Sequence, residues 1–294
     1  MKGRSLMTRL RGRMGGRELN RYESITPYLR EVVPEDLEQL RPDDYMPADV
    51  PFARGVDLRE GDQLSLLASW EGRFDALFAC LRTDPEINTA GEGAAYLHNG
   101  QYPTPDAELY AAMVGDHKPA RIVEIGAGYS TRIARRTIDE LSLHTELVVV
   151  DPEPRADVSA SADTLLRRRI EEVNPDILCA SDRSLLFVDS SHVSRSGGDV
   201  PFIFCRLIPE LPPGTLVHVH DVFLPYDYPP AYRRRLYSEA YVLWALLARN
   251  SSCQVKFATY FMVRNHPQVM QRVFGTVVGT ADKYIGASFW FVLT

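Results

Sequence analysis

Cysteine is scarce in this chain of 294 residues. The four, Cys80, Cys179, Cys205 and Cys253, lie far apart, with no C-x-x-C pair. That spacing gives no disulfide framework and fits a reduced compartment, so a cytoplasmic protein is expected. Long apolar runs are missing too. No stretch of about 18 apolar residues occurs, so neither a membrane span nor a membrane partner is expected. An excess of positive charge is absent: net charge is −6, which makes no basic field for nucleic acid. The first residues carry arginines but no apolar core or cleavage site, so they do not read as a secretory signal. Repeats and low-complexity segments are lacking as well. What remains is an ordinary globular composition, long enough for one large or two small domains around a sizeable core.

One stretch organises the rest, RIVEIGAGYSTRIARR at residues 121–136. A β-branched run carrying a single acid, Glu124, leads into a tight Gly126–Ala127–Gly128 turn. A helix-forming run with arginines follows. This predicts strand, glycine turn and helix N-terminus, with glycines that let the backbone approach a nucleotide-like ligand. A dinucleotide site wants a third glycine, and Thr131 stands in its place. Glu124 would also repel a pyrophosphate. It suits a ligand with a positive end, such as the ammonium and sulfonium of S-adenosylmethionine. A second acid about 20 residues on would hold a ribose diol, and LVVVD supplies Asp151 at the end of a buried-looking strand.

In chain order, residues 1–21 are basic and glycine-broken, an arm that reads as frayed. Prolines punctuate 22–57 into loop and short helices. Residues 64–81 place Leu66, Leu67, Trp70, Phe74, Leu77, Phe78 and Leu81 at helical spacing, a stripe for the core or for a homodimer face. Thr104 or Asp106 is a candidate cap for a helix through Met113. A charged helix is expected over 162–173, a third strand over 177–180 and a fourth over 185–188. A helix over 201–211, a fifth strand over 215–219 and a long helix over 238–249 follow. Apolar strands over 255–263 and 287–293 close the chain.

Three strand ends carry polar clusters: Asp151, then Asp189–Ser190–Ser191–His192, then His218–Val219–His220–Asp221. Ligands bind outside the carboxyl ends of such strands, and the fourth and fifth strands should be neighbours. Asp189, His192, His220 and Asp221 should therefore converge on acid–base chemistry or a metal. His218, within its strand, reads as a core histidine. Phe223, Tyr226, Tyr228 and Tyr232 follow in a proline-stiffened loop, with Glu239, Tyr241 and Trp244 on the next helix, a wall that either lids an acceptor pocket or packs inward.

From Tyr102 onward the chain resembles the class I S-adenosylmethionine-dependent methyltransferases. EIGAGYS is similar to their first motif and VVVDPEPR to their second. LLFVDSSHV and HVHDVFLPYDYP resemble a subgroup of metal-dependent sugar O-methyltransferases. The resemblance implies a Rossmann-like α/β fold, a seven-stranded, mostly parallel sheet closed by an antiparallel pair, with an N-terminal helical extension. Residues 1–95 would be basic arm and helical cap or dimerisation segment, and 96–294 the catalytic domain. S-adenosylmethionine would lie on Glu124, Gly126, Gly128, Tyr129, Ser130 and Asp151. Tyr102 and Asp106 would cover it, and Asp182 is a weaker adenine contact. His192 would be the base, and a divalent metal would sit on Asp189, His220 and Asp221. The family has glutamate where His220 stands. Hard Mg prefers oxygen, whereas Mn, Fe or Zn accepts an imidazole. The acceptor would be a small molecule, methylated at oxygen. A metal-free N- or C-methyltransferase, or a non-methylating user of the same cofactor, are the alternatives.

Overall fold

The structure is a computed structural model and describes residues 51–82, 101–102, 104–154, 157–178, 183–229, 232, 235–275 and 286–294. The basic arm, most of the proline-punctuated segment, and Asp182 lie outside the described residues. Seven strands form a single sheet: β1 (Arg121–Ile125), β2 (Glu146–Val150), β3 (Thr164–Leu166), β4 (Ser184–Val188), β5 (Leu216–Val219), β6 (Cys253–Ala258) and β7 (Phe289–Leu293). Their order is β3-β2-β1-β4-β5-β7-β6. The first five pair in parallel. β7 runs antiparallel to both β5 and β6. This is the mostly parallel sheet that was expected, with its antiparallel closing pair.

The central strands are apolar on both sides because both faces are covered. Val123, Ile125, Val148, Val150, Val188 and Val219 point to one core. A helix beginning at Asp199–Phe202, widening to a π turn over Ile203–Leu207 and ending at Ile208–Glu210, packs there. Ile122, Leu147, Val149, Leu185 and Phe187 point to the other core. That face is covered by α1 (Glu60–Trp70), α2 (Asp75–Arg82), α3 (Asp106–His117) and α4 (Tyr129–Glu140).

The stripe over 64–81 belongs to this second core. Leu67, Trp70, Phe74, Leu77, Phe78 and Leu81 are all buried. Trp70 lies against Phe257 and Phe274, with ring centroids 6.3 and 6.4 Å away. Removing a buried aromatic of this kind costs roughly 3–5 kcal/mol, so these helices are an integral layer of the described fold. The stripe is not one helix, however. Gly72 at φ 74 breaks it between α1 and α2.

Three other expectations change. Residues 162–173 hold β3 and a 3₁₀ turn, Ile170–Glu172, in place of a helix. Hydrogen bonding to β2 overrides the helical composition there. The third strand expected over 177–180 falls instead on a helical turn, Pro175–Leu178, with 179–180 outside the described residues. The strand starting near Val255 ends at Ala258 and continues as a helix, Thr259–Asn265. No helix among the described residues is long and apolar enough to cross a membrane.

Candidate active site

The sheet ladder itself brings the polar clusters together. Beyond the strand ends, Gly126 N–H donates to Val150 O (3.0 Å), Asp189 N–H to Ile125 O (2.9 Å) and His220 N–H to Val188 O (2.9 Å). The first residue after each of β1, β4 and β5 is thus held at one level of the sheet. At Gly126 φ is +95, a region L side chains rarely adopt, and a Cβ there would overlap the carbonyl oxygen of Asp189. The glycine turn and the acidic end of β4 are therefore in direct contact. Gly128 differs: a Cβ there would meet nothing within 4 Å. Tyr129 and Ser130 open α4 immediately after it.

Glu124 is fully buried under this turn. Its Oε1 accepts a 2.9 Å bond from the Tyr110 hydroxyl. Its Oε2 is buried without a well-aligned partner among the described residues. Burial pushes the carboxyl from 4.5 up to about 7, against the pull of the Thr131 and Tyr110 hydroxyls, and the Asp189 charge adds to the rise. A raised carboxyl binds its proton more tightly folded than unfolded. The stability this contributes is complete below pH 4.5 and is lost as pH rises through 7. A shift of that size corresponds to on the order of 3 kcal/mol. Glu124→Gln should therefore raise the melting temperature of the ligand-free protein above pH 7 and leave it unchanged near pH 4. Melting curves across that range check this, and a variant less stable at every pH would show the carboxylate is already compensated.

Asp151 ties the turn down from β2. It accepts from Ala127 N–H and Glu153 N–H, both at 2.7 Å. Asp106 does not cap α3, whose N-cap is Pro105. It is buried, accepts from Ala287 N–H at 2.8 Å and reaches His220 Nε2 at 3.5 Å. The Tyr102 ring lies 4.9 Å from that of His220. Tyr102 and Asp106 thus adjoin the acidic cluster through His220.

Asp189, His192, His220 and Asp221 converge as their positions required. His192 Nε2 lies 3.1 Å from Asp189 and 3.7 Å from Asp221. His220 Nδ1 lies 3.3 Å from Asp189 and 4.0 Å from Asp221. His192 and Asp221 both have left-handed backbone, φ 60 and 55. Burial opposes a charge on His220, but Asp189 and Asp106 raise its pKa to about 10. Burial opposes one on His192 too, yet Tyr237, Asp189 and Glu239 raise its pKa well above the usual value. Burial works against ionised Asp189, and the two imidazolium charges still hold its carboxyl well below the usual range. One ligand atom from each of Asp189, His220 and Asp221 falls within 4.8 Å of the others, a spacing suited to a metal ion.

Two further neighbours lie beside the cluster: Glu239, which the sequence offered only as part of an acceptor wall or its packing, and Arg235, which the sequence reading missed. Glu239, at the start of α5 (Glu239–Leu247), is buried with Oε2 2.9 Å from His192 Nδ1. Arg235 lies 3.8 Å from Asp221 and packs over the Tyr232 ring at 4.4 Å. Neither belongs to a recognisable motif; the signal available was one acid among apolar residues in EAYVLWALL. His218 is the core histidine expected: it stacks on Trp290 at 3.8 Å and bonds Ser288 Oγ at 2.8 Å. Burial, then the His220 charge, holds it well below the usual pKa, and so neutral. The aromatic loop packs inward, with Phe223, Tyr226 and Tyr228 buried.

Residues 123–222 match the model of a family described as a methyltransferase domain. No match was found among curated protein sequences. Several solved structures are similar. The O-methyltransferase TomG from Streptomyces achromogenes, involved in tomaymycin synthesis and in complex with SAM, is 17% identical over 77% of this chain and 97% of its own, with TM-score 0.39. The O-methyltransferase from Bacillus cereus in complex with SAH is 14% identical over 88% and 97%, with TM-score 0.38. The SAH-bound methyltransferase PaMTH1 of Podospora anserina is 13% identical over 90% and 97%, with TM-score 0.37.

Proposed function

We propose that this chain, whose residues 123–222 match a methyltransferase domain and whose sheet has the class I order, transfers the methyl group of S-adenosylmethionine to an oxygen of a small-molecule acceptor. The observation carrying this reading is the contact between the glycine turn and Asp189. It sets the cofactor loop directly against the acid–imidazole cluster. A hydroxyl must lose a proton when methylated, and such a cluster suits that loss. Tyr232 and Tyr237, the partly exposed rings beside it, suit a small organic acceptor.

Residues around the turn fit the cofactor. The open space at Gly128 admits a ligand, and the buried Oε2 of Glu124 offers an acceptor to an ammonium group. Asp151 holds the turn and retains lone pairs for a ribose diol. Tyr129 and Ser130 line the helix end, while Tyr102 and Asp106 close the side toward His220. When bound, S-adenosylmethionine supplies an electrophilic methyl group on its sulfonium. Holding acceptor and donor in line contributes much of the rate. Helices α1 and α2 act as the cap of the folded domain.

His192 Nε2, on the side of Asp189 and Asp221, takes the acceptor proton. In the ligand-free state Asp189 and Glu239 hold the ring as an imidazolium, so that nitrogen must first release its own proton. Asp189, His220 and Asp221 would hold a divalent metal, and their mixed oxygen and nitrogen set fits Mn, Fe or Zn better than Mg. Such an ion would supply Lewis acidity, lowering the pKa of an acceptor hydroxyl held there. One observation favours a metal-free site: His220 and Arg235 already lie beside these carboxylates as cations.

Two measurements test the reading. Calorimetry should show binding of S-adenosylmethionine and none of NAD. Turnover of the cofactor with a panel of hydroxylated acceptors should then be followed with EDTA and after adding back single divalent ions. Loss with chelator and rescue by one ion supports the metal. Indifference to chelator supports the metal-free base. Tight NAD binding alone would sink the proposal.

A further inference from the structure

We propose that Glu239 is a positioning residue for His192, holding the proton on Nδ1 so that Nε2 is the nitrogen that takes the acceptor proton. The idea rests on His192 being the base. Glu239 is the first residue of α5, where an acid commonly complements the helix dipole. That bland role does not need a side chain with no exposure at all. Taking a carboxylate fully out of water is costly unless it is paired. Here its Oε2 lies 2.9 Å from His192 Nδ1, and Oε1 has no hydrogen-bond partner among the described residues. The carboxylate is thus aimed at one group, the imidazole.

The main chain makes the same connection. The His192 carbonyl accepts from Ser238 N–H at 2.8 Å and Glu239 N–H at 3.1 Å. Ser238 Oγ accepts from Ser194 N–H at 2.8 Å, two residues beyond the histidine. The start of α5 therefore grips both the backbone and the ring of His192. This grip maintains a left-handed φ of 60, an unfavourable conformation for histidine that persists only when its surroundings over-determine it. The Tyr237 ring, 4.5 Å away, packs against the imidazole. With Nδ1 engaged on Glu239, Nε2 points to Asp189 and Asp221, against the glycine turn.

The test compares Glu239→Gln in two backgrounds. In the wild type it should lower kcat roughly 10- to 100-fold with the KM values kept, as for loss of a partner that orients a functional histidine. In the His192→Ala background it should cause no further loss, because a residue acting through His192 has nothing left to act on. Equal losses in both backgrounds would mean that Glu239 acts independently, and the proposal fails. Nitrogen NMR of the folded, ligand-free wild type provides a second readout that needs no turnover. Titrated until the ring has lost one proton, His192 should keep the other on a hydrogen-bonded Nδ1 and show a bare Nε2; a bare Nδ1 overturns the proposal even if the glutamine variant does not fold. Full activity in His192→Ala would instead remove the base reading, while the NMR result would still report on the Glu239 contact.

Discussion

Replacing His192 with alanine is expected to lower kcat by roughly 10²–10⁴-fold, the range for removing a general base, with cofactor affinity kept. The reason is positional. The ring is buried in the acid cluster beyond β4, and its contacts are Asp189, Asp221, Glu239 and Tyr237. The Glu124 carboxylate and the Gly128 space belong to the neighbouring β1 turn. Turnover and calorimetry on the same preparation separate the two regions. Loss of both activities together would point to local collapse, because the left-handed backbone at His192 depends on the start of α5. Normal turnover would remove the histidine from the mechanism altogether.

Valine at Gly126 should give the largest structural effect. The left-handed φ alone makes any side chain there costly by about 1–3 kcal/mol. Overlap with the Asp189 carbonyl adds to it, because that oxygen belongs to the neighbouring strand end and has no flexible side chain to yield. A large fall in melting temperature, or failure to fold, is expected. The space being filled is thus occupied by protein, so Gly126→Val is a poor test of ligand binding. Gly128→Val is the better one. Its backbone is extended, with φ 178, and its Cβ would meet no atom within 4 Å. It should melt as the wild type does and lose affinity for S-adenosylmethionine. A folded Gly128→Val protein with unchanged affinity would show that the cofactor does not lie on this turn.

The order of the strands explains why so much of the site was legible. Continuous apolar runs ending in Glu124–Gly126, Asp151, Asp189 and His220–Asp221 encode parallel strands with their polar residues at one edge. A parallel sheet aligns those ends through its ladder, so local pattern translates directly into proximity. The same logic failed where a segment lacks its own period. β3 is only three residues long and half-buried, and its charged surroundings read as helix until β2 supplies a hydrogen-bonding partner. Gly72 lies inside a helical apolar stripe, and nothing local says that the chain turns there.

By itself, then, the amino-acid order determined the glycine turn, the acid beneath it, the apolar strands and the four polar residues that meet beyond β4 and β5. Each depends on neighbours in the chain or on a ladder with a fixed direction. Tertiary structure alone decided what those groups do to one another. Glu124 is raised because burial removes water from it, and His220 because Asp189 and Asp106 arrive from two other elements. Glu239 reaches His192 across 47 residues of chain. Gly126 and Gly128 look alike in the sequence, yet one faces a neighbouring backbone and the other open space. Charge, desolvation and steric overlap act through distance in space, which sequence spacing does not carry.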